Sequence, residues 1–295
     1  MNNKEVKLMN LANNKIRIFK NTFFLLLLIF IIFYSLIAQA SEKKGIGLSD
    51  LNSPERIKKL NVSWYYTWKP YPIKNLDDPK IEFVPMIWGG KERIKNQLRY
   101  LKDKVRNDGK KLKVLLVINE PDQKDQANMT VDEVIAYWKD FEELTEKLSS
   151  PAPAKVNGQW IKEFMKKAKE LRLKVDFIAV HYYGPPDVDK FIRTIDKVYE
   201  TYQLPIWITE FCVADWKYQE VGGYRYSEEE VINFLKKALP LLEERPYVEK
   251  YAWFGAGKKL KEPVKGCSLF DEKGNLTKLG VIYSEFNAGE IKNDN

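Results

Sequence analysis

The chain has 295 residues, 44% of them hydrophobic and 13% aromatic, enough to bury one large core as an α/β barrel or as two smaller domains. Its formal charge of +8 is no nucleic-acid signature. Five Lys/Arg and one acidic residue fall within residues 1–40, so about half of the excess sits there and the remainder is close to balanced.

Taken from the N-terminus, Lys15, Arg17 and Lys20 precede an uncharged run from Phe23 to Ala38, followed by Ala38-Gln39-Ala40 and a polar stretch. A basic region, an apolar region and an A-x-A site are the pattern of a secretory signal peptide cleaved after Ala40. The alternative is an uncleaved N-terminal membrane anchor, although the run is short of the roughly 20 apolar residues that a spanning helix needs. Either form predicts a secreted, periplasmic or cell-surface protein, touching a membrane only through that segment. Residues 41–288 are expected to form one catalytic domain and residues 289–295 a polar tail.

Beyond the leader, short apolar runs alternate with longer amphipathic ones. Strands are predicted at 45–48, 62–68, 82–88, 114–120, 149–154 (weakly), 176–183, 205–211 and 248–254, and helices at 91–105, 130–148, 157–172, 187–202 and 227–244. In the helix at 130–148, Thr130 and Glu133 have the spacing of a capping box. Eight alternating units in about 250 residues predict a (β/α)₈ barrel as a single domain. A doubly wound open sheet fits less well, because no Gly-rich phosphate loop follows an early strand. Cys212 and Cys267, the only cysteines, either pair in an oxidising compartment or stand as two separate buried thiols. Without a matching His spacing they are no metal site, and neither a metal nor an organic cofactor is expected.

A barrel gathers the C-terminal ends of its strands at one mouth. Those ends supply Trp64, Tyr66 and Trp68, then Trp88, then Asn119 and Glu120, then His181 and Tyr183, then Glu210, and last Trp253. Two carboxylates among aromatics, whose faces stack on the C–H faces of sugars, are the requirement of glycoside hydrolysis. Strand alternation would place Glu120 on one inward face with Leu116 and Ile118, and Glu210 with Ile206 and Ile208, leaving Trp207 to face the helices. Trp216 stands between packing and sugar contact.

The strings KKGIGLSD, VSWYYTW, FVPMIWG, NEPDQKDQANMT, DFIAVHYYG, LPIWITEF, YAWFG and LFDEKGNLTKLG, in this order from about Lys44 to Tyr283, resemble glycoside hydrolase family 128, whose members act on β-1,3-glucans. The resemblance implies a retaining (β/α)₈ glycosidase, with Glu120 as acid/base at the end of the fourth strand and Glu210 as nucleophile at the end of the seventh. It further implies that Asn119 bonds a sugar 2-hydroxyl, that His181 or Tyr183 orients the nucleophile, and that Trp253 floors a subsite. Trp68 and Trp88 would be stacking platforms, while Trp64 and Tyr66 are candidate sugar contacts that, like Trp216, stand between packing and substrate. The partner expected is a β-glucan, cleaved internally by a monomeric enzyme. The rivals are a non-catalytic β-glucan-binding barrel and a clan relative acting on another polysaccharide. One departure is Thr67, where the family often has Asn.

Overall fold

The computed structural model describes residues 41–48, 54–256 and 260–287. The expected leader and polar tail lie outside them. Strand β1 (Lys44–Gly47) is followed by helix α1 (Pro54–Lys59) and β2 (Trp64–Tyr66). The third strand comes in two pieces, β3 (Glu82–Phe83) and β4 (Met86–Ile87), because Pro85 between them has no N–H to give to a ladder. Then come α2 (Lys91–Asp108), β5 (Leu112–Val117), α3 (Val131–Ile135), α4 (Trp138–Leu144), β6 (Thr145–Leu148) and α5 (Gln159–Glu170). The chain continues through β7 (Ile178–Gly184), α6 (Val188–Tyr202), β8 (Ile206–Val213), α7 (Glu228–Glu243), β9 (Val248–Trp253) and α8 (Lys278–Glu285).

Every pairing between these strands is parallel, in the orders β3-β2-β1-β9-β8-β7 and β4-β5-β6. Two junctions join the sheets. One is the covalent step from β3 to β4; the other is the stretch after β6, where Ser149 bridges Phe177 and the Ser150 amide donates to the Phe177 carbonyl at 2.8 Å. Counting β3 and β4 as one strand, eight parallel strands close into the expected α/β barrel.

The fifth strand corrects the sequence reading. The capping box forms, with the Thr130 hydroxyl accepting from the Glu133 amide, but the helical stretch breaks near Ala136 and stops at Leu144. Thr145 to Leu148, expected to be helix, are strand. Thr145 is β-branched and fully buried, and its hydroxyl donates to the Leu112 carbonyl at 3.0 Å, tying this segment to β5. Sheet pairing therefore overrides a helical pattern, and the SSPAPA stretch supplies only the bridges at Ser149 and Ala152 that prolong the strand. Helices α1 and α8 escaped the sequence reading, each being short.

Inside the barrel Trp64, Tyr66, Met86, Leu116, Phe177 and Trp207 pack together. Gly45 and Gly47 make room for two indoles there: a Cβ on Gly45 would meet Trp64 at 2.1 Å, and one on Gly47 would meet the Trp68 ring at 2.8 Å. Trp207 thus faces inward, tilted against Trp64 at 5.3 Å and stacked on Phe177 at 4.5 Å, while Ile206 and Ile208 face the helices. The inward set on β8 is the reverse of the one expected. Cys212 and Cys267 are two buried thiols, and the Cys267 Sγ donates to the Val213 carbonyl.

Candidate active site

The fourth and seventh strands deliver their glutamates by breaking strand regularity. On β5 the alternation ends at Val117. Ile118 takes a left-handed φ of 58° and turns outward against Ile87 and Ala127, and Glu120 follows at φ 42°. A β-branched residue with positive φ is an uncommon, strained conformation of the kind that collects at functional sites. Two backbone hydrogen bonds fix it in place, Asn119 N–H to the Trp88 carbonyl at 2.8 Å and Glu120 N–H to the Ala152 carbonyl at 2.8 Å. On β8 the pairing slips: Ile208 opposes Val180 and Tyr251, yet Glu210 opposes His181 and Phe211 opposes Trp253. Thr209 is the extra residue of a β-bulge, and it lets Glu210 point inward although Ile208 and Phe211 on either side face the helices.

The two carboxylates and His181 converge, with one ligand atom of each lying within 4.8 Å of the others. His181 Nδ1 stands 2.9 Å from Glu120 Oε1 and 3.4 Å from Glu210 Oε2. Glu210 is nearly buried and encircled by donors. Its Oε1 accepts from the Tyr66 hydroxyl at 3.1 Å and the Trp68 indole N–H at 2.6 Å, while its Oε2 accepts from the Tyr183 hydroxyl. Glu120 is the more exposed of the two, its side chain at 14% against 7%, and among the described residues His181 is the one side chain bonded to it.

Burial, the strongest single influence on His181, acts to lower its pKa. The Glu210 charge, the hydrogen bond to Glu120 and the charges of Glu120 and Asp122 together outweigh it and hold the imidazole above its ordinary value. Burial first, and then Glu210, push the Tyr66 and Tyr183 hydroxyls well above their usual range, so both remain donors. Glu120, His181 and Glu210 could geometrically ligate one divalent cation. Glu210's oxygens are already taken up by organic donors, an arrangement suited to holding a carboxylate for reaction rather than for a metal.

The pair opens into a cleft of about 1340 Å³. Asn119 and Trp88 line it, as do Trp68 and Tyr183. The Asn119 amide nitrogen donates to Gln126 Oε1 at 3.2 Å, and its buried carbonyl oxygen has no partner among the described residues. The Arg93 guanidinium covers one face of Trp88 at 4.3 Å, leaving the indole at most its other face for a sugar.

Three expected contacts do not reach the cleft. Tyr66 is buried beneath it, its hydroxyl shared between the Thr209 carbonyl at 3.0 Å and Glu210 Oε1, so it holds the carboxylate rather than a sugar. Trp64 is wholly buried below Tyr66, with its N–H bonded to the Lys43 carbonyl at 3.0 Å. Trp253 lies on the helix side of the barrel wall, edge-on to Phe211 at 5.1 Å, and its N–H is used by the Cys267 carbonyl at 2.9 Å. The next residue, Phe254, lines the cleft in its place, packed against Trp68 and Tyr183. Arg93, Tyr71 and Tyr100 also line it and lie in loop and helix stretches where strand-end reasoning does not look. Trp216 is there too, 63% exposed, its N–H held by the Tyr183 carbonyl at 2.9 Å.

This fold and site define a glycoside hydrolase scaffold, and residues 45–283 match the family described as Glycosyl hydrolase catalytic core, to which the chain belongs. The resemblance to family 128 extends to three dimensions. A subgroup I endo-β-1,3-glucanase of Amycolatopsis mediterranei, solved with laminaritriose, is 28% identical; the match covers 83% of this chain and 99% of that one at a TM-score of 0.68. A subgroup VII oligosaccharide-binding protein of Trichoderma gamsii shares the fold at 21% identity and TM-score 0.64, over 88% of this chain and 98% of that one. Alkali-sensitive linkage protein 1 of Schizosaccharomyces pombe is 27% identical over 270 residues, 83% of this chain. The chain spans 45% of that relative's length.

Proposed function

We propose that the protein is a retaining glycoside hydrolase that cleaves β-1,3-glucan internally, with Glu120 as acid/base and Glu210 as nucleophile. The observation that carries this reading is the approach of the two carboxylates to within 4.8 Å in an aromatic-lined cleft. Retaining enzymes hold their pair about 5–5.5 Å apart, whereas inverting ones need about 6.5–9.5 Å to admit a water.

The hydrogen bonds support this division of roles. Glu210, facing the donors of Tyr66, Trp68, Tyr183 and His181, is held as an anion and aimed by them at the anomeric carbon. Glu120, which lines the cleft and has fewer hydrogen-bond partners, is the carboxyl left to donate the proton. In the first step that proton passes to the leaving glycosidic oxygen as a Glu210 oxygen bonds to the anomeric carbon. In the second, Glu120, now ionised, takes a proton from the attacking water and the ester to Glu210 breaks. The unpartnered Asn119 carbonyl oxygen suits a sugar hydroxyl beside the reacting carbon.

The glucan and the internal mode of cleavage are inferred from the Amycolatopsis relative, supported by the cleft's aromatic lining. Action outside the cytoplasm is inferred from the basic and apolar pattern of residues 1–40 and suits a polymeric substrate. The test is Glu210→Ala. The variant should lose laminarin hydrolysis by several orders of magnitude and regain part of it with azide, giving the glycosyl azide of inverted configuration. Undiminished activity in the variant would sink the assignment.

A further inference from the structure

Among the described residues, the well-exposed aromatic rings gather in one place. Among the described residues the large exposed hydrophobic side chains are Tyr71, Tyr100, Leu171, Trp216, Val221 and Val281. Three are aromatic, and all three line the cleft, whereas the aliphatic ones do not. Scattered exposed apolar residues need no explanation, but rings collected along a groove that runs from two carboxylates do. Trp216 has its indole N–H fixed beside the catalytic residues. Tyr71 and Tyr100 are a separate pair, from the loop after β2 and from α2.

The two tyrosine rings meet edge to face, with centroids 5.8 Å apart and planes at 76°, and so form a corner with both rings 42% exposed. The corner is pre-organised. Thr67, itself nearly buried, donates its hydroxyl to the Tyr71 carbonyl at 3.0 Å, and the Lys69 ammonium stands 5.8 Å from the Tyr71 ring centroid. The same short segment begins with Trp68, which bonds Glu210. Three residues of chain reach at most about 10 Å, so the corner lies within reach of a sugar chain already engaged at the glutamates. Polar Asn96 on α2 lines the groove alongside. Apolar ring faces bordered by hydroxyl, amide and ammonium groups match a pyranose, which presents C–H faces and a hydroxyl rim.

We propose that Tyr71 and Tyr100 form an outer glucosyl subsite at one end of the cleft, favouring long β-glucan chains over short ones. The proposal rests on the glucan reading above. Thr67, which departs from the family's usual Asn, serves here to lock the loop that presents Tyr71.

The test compares calorimetric affinity for laminarihexaose and laminaritriose in the wild type, Tyr71→Ala/Tyr100→Ala and Tyr71→Phe/Tyr100→Phe. Removing both stacking rings should lower the hexaose-to-triose affinity ratio about tenfold in the alanine variant. The phenylalanine variant keeps the rings and should retain most of the ratio, which separates stacking from a general loss of structure. A ratio unchanged by the alanine pair, or abolished equally in both variants, overturns the subsite. Binding does not require turnover. A wild type that binds both sugars with the expected length preference but cleaves neither would refute the hydrolase reading and leave the subsite standing.

Discussion

At the scale of single residues, the donors around Glu210 matter most when its charge returns. In the mechanism proposed above, the Glu210 charge is consumed in the first step as the ester forms and reappears in the second as water displaces the sugar. Donors fixed before the reaction stabilise that returning charge without reorganising. The Trp68 N–H lies 2.6 Å from Oε1, and an aromatic ring can be kept there while the N–H is removed. A hydrogen bond to a charged group contributes about 1.5–3 kcal/mol, so Trp68→Phe should lower kcat roughly 10- to 100-fold. Since the loss falls on breakdown of the glycosyl-enzyme, that intermediate should accumulate and KM should fall together with kcat. Steady-state kinetics on laminarin with a pre-steady-state burst measurement check this, and a raised KM at unchanged kcat would make Trp68 only a stacking surface.

Individual elements decide whether these residues are brought together, and here loops contribute as much as strands. Asp122, two residues past Glu120, accepts from the Ala154 amide at 2.8 Å and the Lys155 amide at 3.0 Å, clasping the loop after β5 to the one after β6. Asp122→Ala leaves both amides without that acceptor and frees the segment that holds Glu120 in its left-handed conformation. The expected outcome is a stability loss of about 1.5–3 kcal/mol and a fall in kcat of about tenfold, with Asp122→Asn intermediate, measured by urea unfolding and laminarin hydrolysis. This loop also shows where the sequence stopped being legible. The apolar runs revealed the barrel and which strands carry the glutamates, since burial on both faces of a strand leaves a mark in composition. Side-chain direction was not legible at those strand ends. A period of two presumes a regular strand, but Ile118 is twisted out of register by its positive φ and Thr209 is a bulge. Glu120 and Glu210 therefore face inward without sharing a face with Ile118, Ile206 and Ile208, whereas β9 alternates regularly and turns Tyr251 and Trp253 toward the helices with Ala252 inward. Thr145–Leu148 hid for another reason: their apolar spacing continues a helix, and only pairing with β5 makes them a strand.

For the molecule as a whole, closure of the barrel depends on its first strand meeting its last elements. β1 pairs with both β2 and β9, and Lys44 within it is fully buried. Its ammonium donates to the carbonyls of Tyr283 at 2.8 Å, Ser284 at 3.3 Å and Phe286 at 2.7 Å, so the first strand caps the C-terminus of the last helix. Burial pulls the Lys44 pKa down to about 7, against the opposing charge of Glu243. Below about pH 7 the lysine is charged in both the folded and the unfolded chain, and the folded state bears the full desolvation cost. Between about 7 and the ordinary 10.5 the folded chain releases the proton while the unfolded chain keeps it, so the unfolded state binds more protons and stability rises with pH. A neutral amine still has two N–H groups, enough for the two shorter bonds. Lys44→Met removes the latch and the titration together. The variant should be less stable than the wild type at pH 9 by roughly 1–3 kcal/mol, the cost of leaving buried carbonyls unpaired. The gap should narrow toward pH 6, by up to about 1.4 kcal/mol per pH unit within the titrating range. Because other titrating groups cancel in the difference, parallel urea unfolding of the two proteins from pH 6 to pH 10 isolates this lysine, and a gap that widened toward acid would mean that Lys44 is stabilised as an ammonium by its three carbonyls.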